Sequence, residues 1–246
     1  MNGSIQAVGS SLETLTRHYE AVTHNLANSS TAGFKRTVRS QGQSFAALMT
    51  EAARRAASNA KVVTDRSAID FSQGSLVQTG RTLDLALQGE KAFFVVETPD
   101  GPRYTRNGVF QVNAQGQLVS SAGHNVAGEG GPIVIPADAG SMGVSVSTDG
   151  QVIAGGQSVG KLKIVEFDDP TTLQQVGANA FLAPRAVQPG AAAGASVHQG
   201  FQEASNVSTV EELVDLITVT RLYEANLKMI QAQDERMQSV NKVAMS

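Results

Sequence analysis

Residues 92–112 read AFFVVETPDGPRYTRNGVFQV, and the period of that stretch decides the fold. Phe93-Phe94-Val95-Val96, Arg103-Tyr104-Thr105 and Val109-Phe110-Gln111-Val112 are short runs rich in aromatic and β-branched residues, the composition of strands. Asp100-Gly101 and Asn107-Gly108 separate them, and such pairs supply the positive φ angles of tight hairpins. The stretch therefore predicts a meander of antiparallel strands. Outward from it the pattern persists: Leu118-Val119 after Gln115-Gly116, then Ile133-Val134-Ile135, Val144-Ser145-Val146, Val152-Ile153 and Leu162-Lys163-Ile164-Val165. Asp149-Gly150 and the glycines at 155, 156 and 160 fall between those runs. The middle of the chain is expected to be all-β, a sandwich or irregular barrel.

At both ends the period lengthens. Ile5, Leu12, Tyr19 and Leu26 share one heptad row, and Val8, Leu15 and Val22 share the row beside it. An a/d seam of this kind asks for a partner helix rather than a broad core. The helix should stop near Asn28, where Ser29-Ser30-Thr31 favour turns and Gly33 can turn left-handed. At the other end Ser208 to Glu211 has the spacing of a capping box. Leu213, Leu216, Thr220, Tyr223, Leu227, Ile230 and Met237 follow in a 3-4 alternation, and no proline or glycine occurs after Gly200. The expected fold is mainly β with long terminal α-helices. A β-rich middle domain would be flanked by N- and C-terminal helices that form an antiparallel coiled-coil-like layer. The expected divisions are 1–36 for the first assembly helix, 37–72 for a connector, 73–183 for the β domain, 184–204 for a linker rich in Ala, Gly and Pro, and 205–246 for the last helix. Residues 45–57 are a short helical candidate inside the connector.

With 246 residues, 41% hydrophobic, the chain can bury a core. Its 19 basic and 22 acidic residues argue against a nucleic-acid partner. The basic pairs Lys35-Arg36 and Arg54-Arg55 lack aromatic neighbours for base stacking and read as solvated faces. No cysteine occurs, which removes disulfides and zinc-thiolate sites. The first residues lack the basic start and apolar run of a cleavable secretory signal, and residues 92–96 are far too short to insert in a membrane.

No constellation for catalysis, a cofactor or a metal is expected. Gly156-Gln157-Ser158-Val159-Gly160 matches the nucleophile elbow G-x-S-x-G, but a strand-like run follows instead of a helix, so a hairpin turn is the simpler reading. Asp168 and His198 stand in triad order, yet His198 follows the Ala-Gly-Pro stretch. His18, His24, His124 and His198 form no metal-ligand spacing. Gly128-Glu129-Gly130-Gly131 lacks the spacing of a dinucleotide loop.

Residues 24–36, HNLANSSTAGFKR, resemble the N-terminal signature of bacterial flagellar rod and hook proteins. Residues 79–89, TGRTLDLALQG, with Phe93-Phe94-Val95-Val96 and Tyr104-Thr105-Arg106-Asn107-Gly108, resemble the start of that family's middle domain. Ser205-Asn206-Val207 and Arg221-Leu222-Tyr223-Glu224-Ala225-Asn226 are similar to its C-terminal motif. Asp70-Phe71-Ser72-Gln73-Gly74 and Gly130-Gly131-Pro132-Ile133 look more like the proximal than the distal rod protein. The resemblance implies a structural subunit of the flagellar basal-body rod, the periplasmic drive shaft of motility. It implies export without a cleaved signal through the flagellar type III apparatus, and partners that are copies of itself and neighbouring rod subunits. The rival readings are a binding module closed as a dimer and a rod-associated cell-wall hydrolase. The assembly interface is expected at Ile5, Val8, Leu12, Leu15, Tyr19, Val22, Asn25, Leu26, Asn28, Gly33 and Phe34, with Leu213, Leu216, Tyr223, Asn226, Leu227, Ile230 and Met237 at the other end. The asparagine amides would serve backbone groups at the junctions between subunits.

Overall fold

In the computed structural model, residues 2–39, 67–136, 143–177, 179–192 and 194–244 are described. The helical candidate at 45–57 and most of the connector lie outside them. The chain opens with α1 (Asn2–Ala27), β1 (Thr37–Arg39), β2 (Ser67–Ile69), β3 (Leu76–Gln78), β4 (Leu85–Gln88), β5 (Ala92–Thr98), β6 (Gly101–Thr105) and β7 (Phe110–Val112). It continues through β8 (Leu118–Ser120), β9 (Asn125–Gly128), β10 (Gly131–Pro132), β11 (Val144–Val146), β12 (Gln151–Ala154), β13 (Gln157–Lys161) and β14 (Ile164–Glu166). After a 3-10 turn at Pro170–Thr172 come β15 (Gln174–Val176), β16 (Ala180–Leu182), β17 (Gly190–Ala191), β18 (Ser196–Gln199), β19 (Phe201–Glu203) and α2 (Thr209–Ala244).

These elements form two compact units. One holds the described parts of 1–27, 37–68 and 208–246; the other holds 28–36 and 69–207.

The second unit is a β-rich body organised around β5. One edge of β5 pairs with β6, and its other edge pairs with β14 at the Ala92 end and with β9 at the Val96 end. Because successive strand residues face opposite sides, Ala92, Phe94 and Val96 enter one apolar cluster with Leu85, Leu87, Phe110, Leu118 and Ile133. Phe93 and Val95 enter another with Phe71, Tyr104, Phe167 and Phe181. Phe93 meets three rings edge-on at centroid distances from 5.7 to 5.9 Å, a favoured aromatic arrangement. A strand buried on both faces reads as a continuous apolar run, which is what residues 92–96 are.

Two features of the body differ from the meander read in the sequence. The β5–β6 turn is a hairpin with Gly101 at φ 119°, and β7–β8 turns through Gly116 at φ 77°. Asn107-Gly108, however, makes no hairpin: β6 and β7 are not neighbours, and the sheet runs β15-β16-β6-β5-β9-β8-β7. Gly108 serves a close crossing instead. Its carbonyl accepts the Leu85 amide at 2.9 Å, and a Cβ at this position would lie 1.7 Å from the Leu85 carbonyl oxygen. The second difference is the stretch 184–204, read as a linker from its composition. It carries β17, β18 and β19, which pair with β14, β4 and β3. A sandwich has a single core between two layers, whereas this body has a cluster on each side of β5.

The first unit corrects the expected fold class. Among the described residues there is one N-terminal helix and one C-terminal helix, the large β-rich body is a separate unit, and the antiparallel coiled-coil-like layer is not formed. A coiled coil buries a knob at each a and d position. Among the described residues, Val22 and Val219 are the only fully buried apolar side chains of the two helices. Tyr19, Leu213, Tyr223 and Leu227 of the expected seams are exposed.

The crossing at Gly108 gives a direct test. Gly108→Ala should cost about 3 kcal/mol, the upper range for overpacking a filled site. Gly130→Ala, where an added Cβ meets nothing within 4 Å, should stay within about 0.5 kcal/mol of the parent. Urea midpoints of the two variants measure the difference.

Candidate assembly interface

The signature stretch that follows α1 is folded into the body. Gly33 takes φ 69°, and a Cβ there would stand 2.3 Å from the Asn107 backbone nitrogen. Phe34 is wholly buried, and so is Lys35. Lys35 Nζ donates to Glu203 Oε1 and to the Ser72 carbonyl, both at 2.6 Å. Arg106 Nε donates to Glu203 Oε2 at 2.8 Å, and its remaining N–H groups reach the carbonyls of Gly89, Ala92 and Leu87. The guanidinium lies 5.8 Å from the centroid of Phe93. Glu203 Oε1 also accepts the Gly74 amide at 3.1 Å, and the Glu203 carbonyl accepts the Gly33 amide at 2.8 Å.

Two buried cations thus share one carboxylate, and peptide dipoles carry the excess positive charge. Burial pulls the Lys35 ammonium below the ordinary lysine pKa, with Glu203 opposing that shift and Arg106 adding to it. The sequence suggests a solvated basic face for Lys35; the structure places it in the interior. Asn206 adds a second stitch. Its Oδ1 accepts the Arg36 amide at 2.7 Å, and its Nδ2 donates to the Asp70 carbonyl at 2.8 Å. Asp84, in the Thr79–Leu87 stretch, is buried and accepts from Thr79 Oγ1 and Gln202 Nε2, each at 2.7 Å.

In the helical unit a polar contact selects the inward face. The Asn25 carboxamide pairs with the backbone of Thr37 like a neighbouring strand. Its Nδ2 donates to the Thr37 carbonyl, and its Oδ1 accepts the Thr37 amide, both at 2.9 Å. The same Nδ2 lies 3.3 Å from Glu212 Oε2. Glu212 and Val219, seven residues apart on α2, are buried, and Asn226 continues that row half-buried. The inward row is therefore 212-219-226 rather than the expected 213-220-227.

Of the expected interface residues, Val22, Asn25, Gly33 and Phe34 are buried within the chain. Leu12, Leu15, Leu26, Asn28, Leu216, Asn226 and Ile230 are half-buried, while Tyr19, Leu213, Tyr223 and Leu227 are exposed. The side chains of Ile5, Val8 and Met237 lie outside those described. The asparagines make internal bonds: Asn226 Nδ2 donates to the Leu222 carbonyl at 2.8 Å, and Asn28 Oδ1 accepts from Thr31 Oγ1 at 3.2 Å.

Sequence reasoning missed a second apolar row on α2. Val210 (72% exposed), Leu213 (44%), Val214 (57%) and Ile217 (54%) fall at i, i+3, i+4 and i+7. At 3.6 residues per turn they form one stripe opposite Glu212 and Val219. The signal was present in Thr209–Leu216, where apolar residues occupy both sides of the helix.

The model described as "Flagellar basal body rod FlgEFG protein C-terminal" matches residues 198–243, which include β19 and all but the last residue of this helix. The model described as "Flagellar hook protein FlgE/F/G D1 domain" matches residues 86–154. The flagellar basal-body rod protein FlgF of Caulobacter vibrioides is 38% identical over 224 residues, which is 88% of this chain and 87% of that protein. The chain belongs to the flagellar basal-body rod protein family. Among the relatives named FlgG, that of Buchnera aphidicola subsp. Schizaphis graminum is 33% identical, covering 90% of this chain and 92% of its own length. That of Bacillus subtilis is 32% identical, covering 94% and 95%. A rod protein is a structural subunit of the flagellar basal body, and the chain's place is among the other rod and hook proteins.

The elbow motif G-x-S-x-G is a hairpin in this rod protein. Gly155 and Gly156, at φ 59° and 79°, join β12 to β13, and Ser158 pairs with Ile153 in the ladder. His198 contacts Gln88 through Nε2 at 2.9 Å.

Asn25→Asp should loosen the helical unit by about 1–3 kcal/mol, because it removes the donor to Thr37 and sets a carboxylate beside Glu212. Thermal melts followed by helical circular dichroism at neutral pH measure this.

Proposed function

We propose that α1 and α2 carry the contacts between subunits in the rod. The carrying observation is the stripe Val210, Leu213, Val214 and Ile217, which is exposed although the opposite face of the same turns is buried. Contiguous exposed apolar surface of this kind marks an interaction site. Tyr19 on α1 and Tyr223, Leu227 and Met229 on α2 are further exposed apolar side chains of the helical unit. The neighbours are further copies of this chain and other rod subunits. The subunit reaches the periplasm through the flagellar export apparatus.

We assign it to the proximal rod. Asp70-Phe71-Ser72-Gln73-Gly74 and Gly130-Gly131-Pro132-Ile133 resemble the proximal protein, and the 38% identity to a FlgF supports the same reading. Relatives named FlgG at 32–33% identity keep a distal position as the alternative. Electron microscopy of basal bodies carrying a tagged subunit decides: label on the membrane-proximal half of the rod is expected, and label on the distal half would overturn the assignment.

Ile217→Asp tests the interface. The side chain is 54% exposed, so the purified chain should keep its stability within about 0.5 kcal/mol. Complementation of a deletion strain should nevertheless fail, with loss of swarming and no completed rods. Normal rods from Ile217→Asp would remove the stripe from the interface.

A further inference from the structure

We propose that Glu203 is the closing latch of the β-rich body, making its folding conditional on contact between segments from both ends of the sequence. Three stretches meet at this carboxylate. Residues 33–35 bring Lys35 and the Gly33 amide, residues 72–106 bring the Gly74 amide and Arg106, and β19 brings Glu203 itself. Lys35 and Glu203 are 168 positions apart and each is wholly buried. Before β19 arrives, Lys35 and Arg106 have no carboxylate partner among the described ion pairs. Desolvating two such cations without an anion is far costlier than leaving the site open to water.

The latch also reaches the two apolar clusters. Arg106 holds the carbonyls of Gly89 and Ala92 at the start of β5 and lies over Phe93. β18, immediately before β19, pairs with β4 and places Val197 in the cluster that contains Phe94. Opening at Glu203 therefore releases the strand between the two clusters, not merely the last strand. The body behaves as one cooperative unit that closes at its far end.

Hydrogen exchange on the purified full-length chain tests this, read at the amides of Phe93 to Val96. Glu203→Gln keeps the shape and removes the charge. It should speed exchange there by about 100-fold or more, the effect of leaving buried ions unpaired. Glu129→Gln, in an exposed pair with Lys161, should change it by less than about threefold. The double variant Lys35→Met with Glu203→Gln removes one of the stranded cations and should recover at least about tenfold of the protection. If Glu203→Gln fails to fold, recovery of protection in the double variant still supports the latch, and no recovery overturns it. Exchange that rises only in β3 and β19, with Phe93 to Val96 unchanged, also overturns it.

Discussion

One carboxylate organises the larger unit. Glu203 pairs with both Lys35 and Arg106, and it holds the Gly74 amide through its side chain and the Gly33 amide through its backbone. The pairing leaves one positive charge in excess, and carbonyls from Ser72, Leu87, Gly89 and Ala92 absorb it. Buried ions add little net stability compared with a well-packed apolar substitute, but they tolerate very few geometries. Here that selectivity fixes where the signature stretch, the β5–β6 hairpin and the last strand must meet. The two apolar clusters supply the bulk of the favourable free energy, and the ion cluster sets their registration.

The strands could be read from the sequence where the signal is local. Asp100-Gly101 and Gln115-Gly116 turn as their composition indicates, because a positive φ is a property of the glycine alone. Asn107-Gly108 carries the same local signature for a different reason, the passage of the Leu85 carbonyl against its Cα. That demand comes from a strand about twenty residues earlier and leaves no periodic trace. The Lys35-Arg36 pair misleads similarly: a cation in a polar loop looks solvated until its partner, far along the chain, is placed. The stretch 184–204 has the small residues of a linker, yet small residues also suit strands that must lie close to others.

The helices show how a polar pair can override an apolar count. A heptad count over α2 favours the row through Leu213 and Leu227, since leucine outweighs glutamate at a buried position. The carboxamide of Asn25 reverses that preference by giving Glu212 a partner, and the helix turns its 212-219 row inward. Leucine and valine side chains then face outward, a cost for an isolated chain and an advantage for a structural subunit. The signature motifs, by contrast, are spent largely on self-recognition: Asn25, Gly33, Phe34, Lys35 and Asn206 all make their contacts within the chain.

The turn at Gly155-Gly156 has a practical consequence. A Cβ at Gly156 would meet nothing within 4 Å, and β12 and β13 on either side belong to a separate three-stranded ribbon. Exposed tips of this sort accept added sequence with little penalty. A short peptide epitope or dye-bearing cysteine introduced at this tip would report on the intact subunit without altering a residue of the ion cluster. Since the native chain has no thiol of its own, such a probe would be chemically unique.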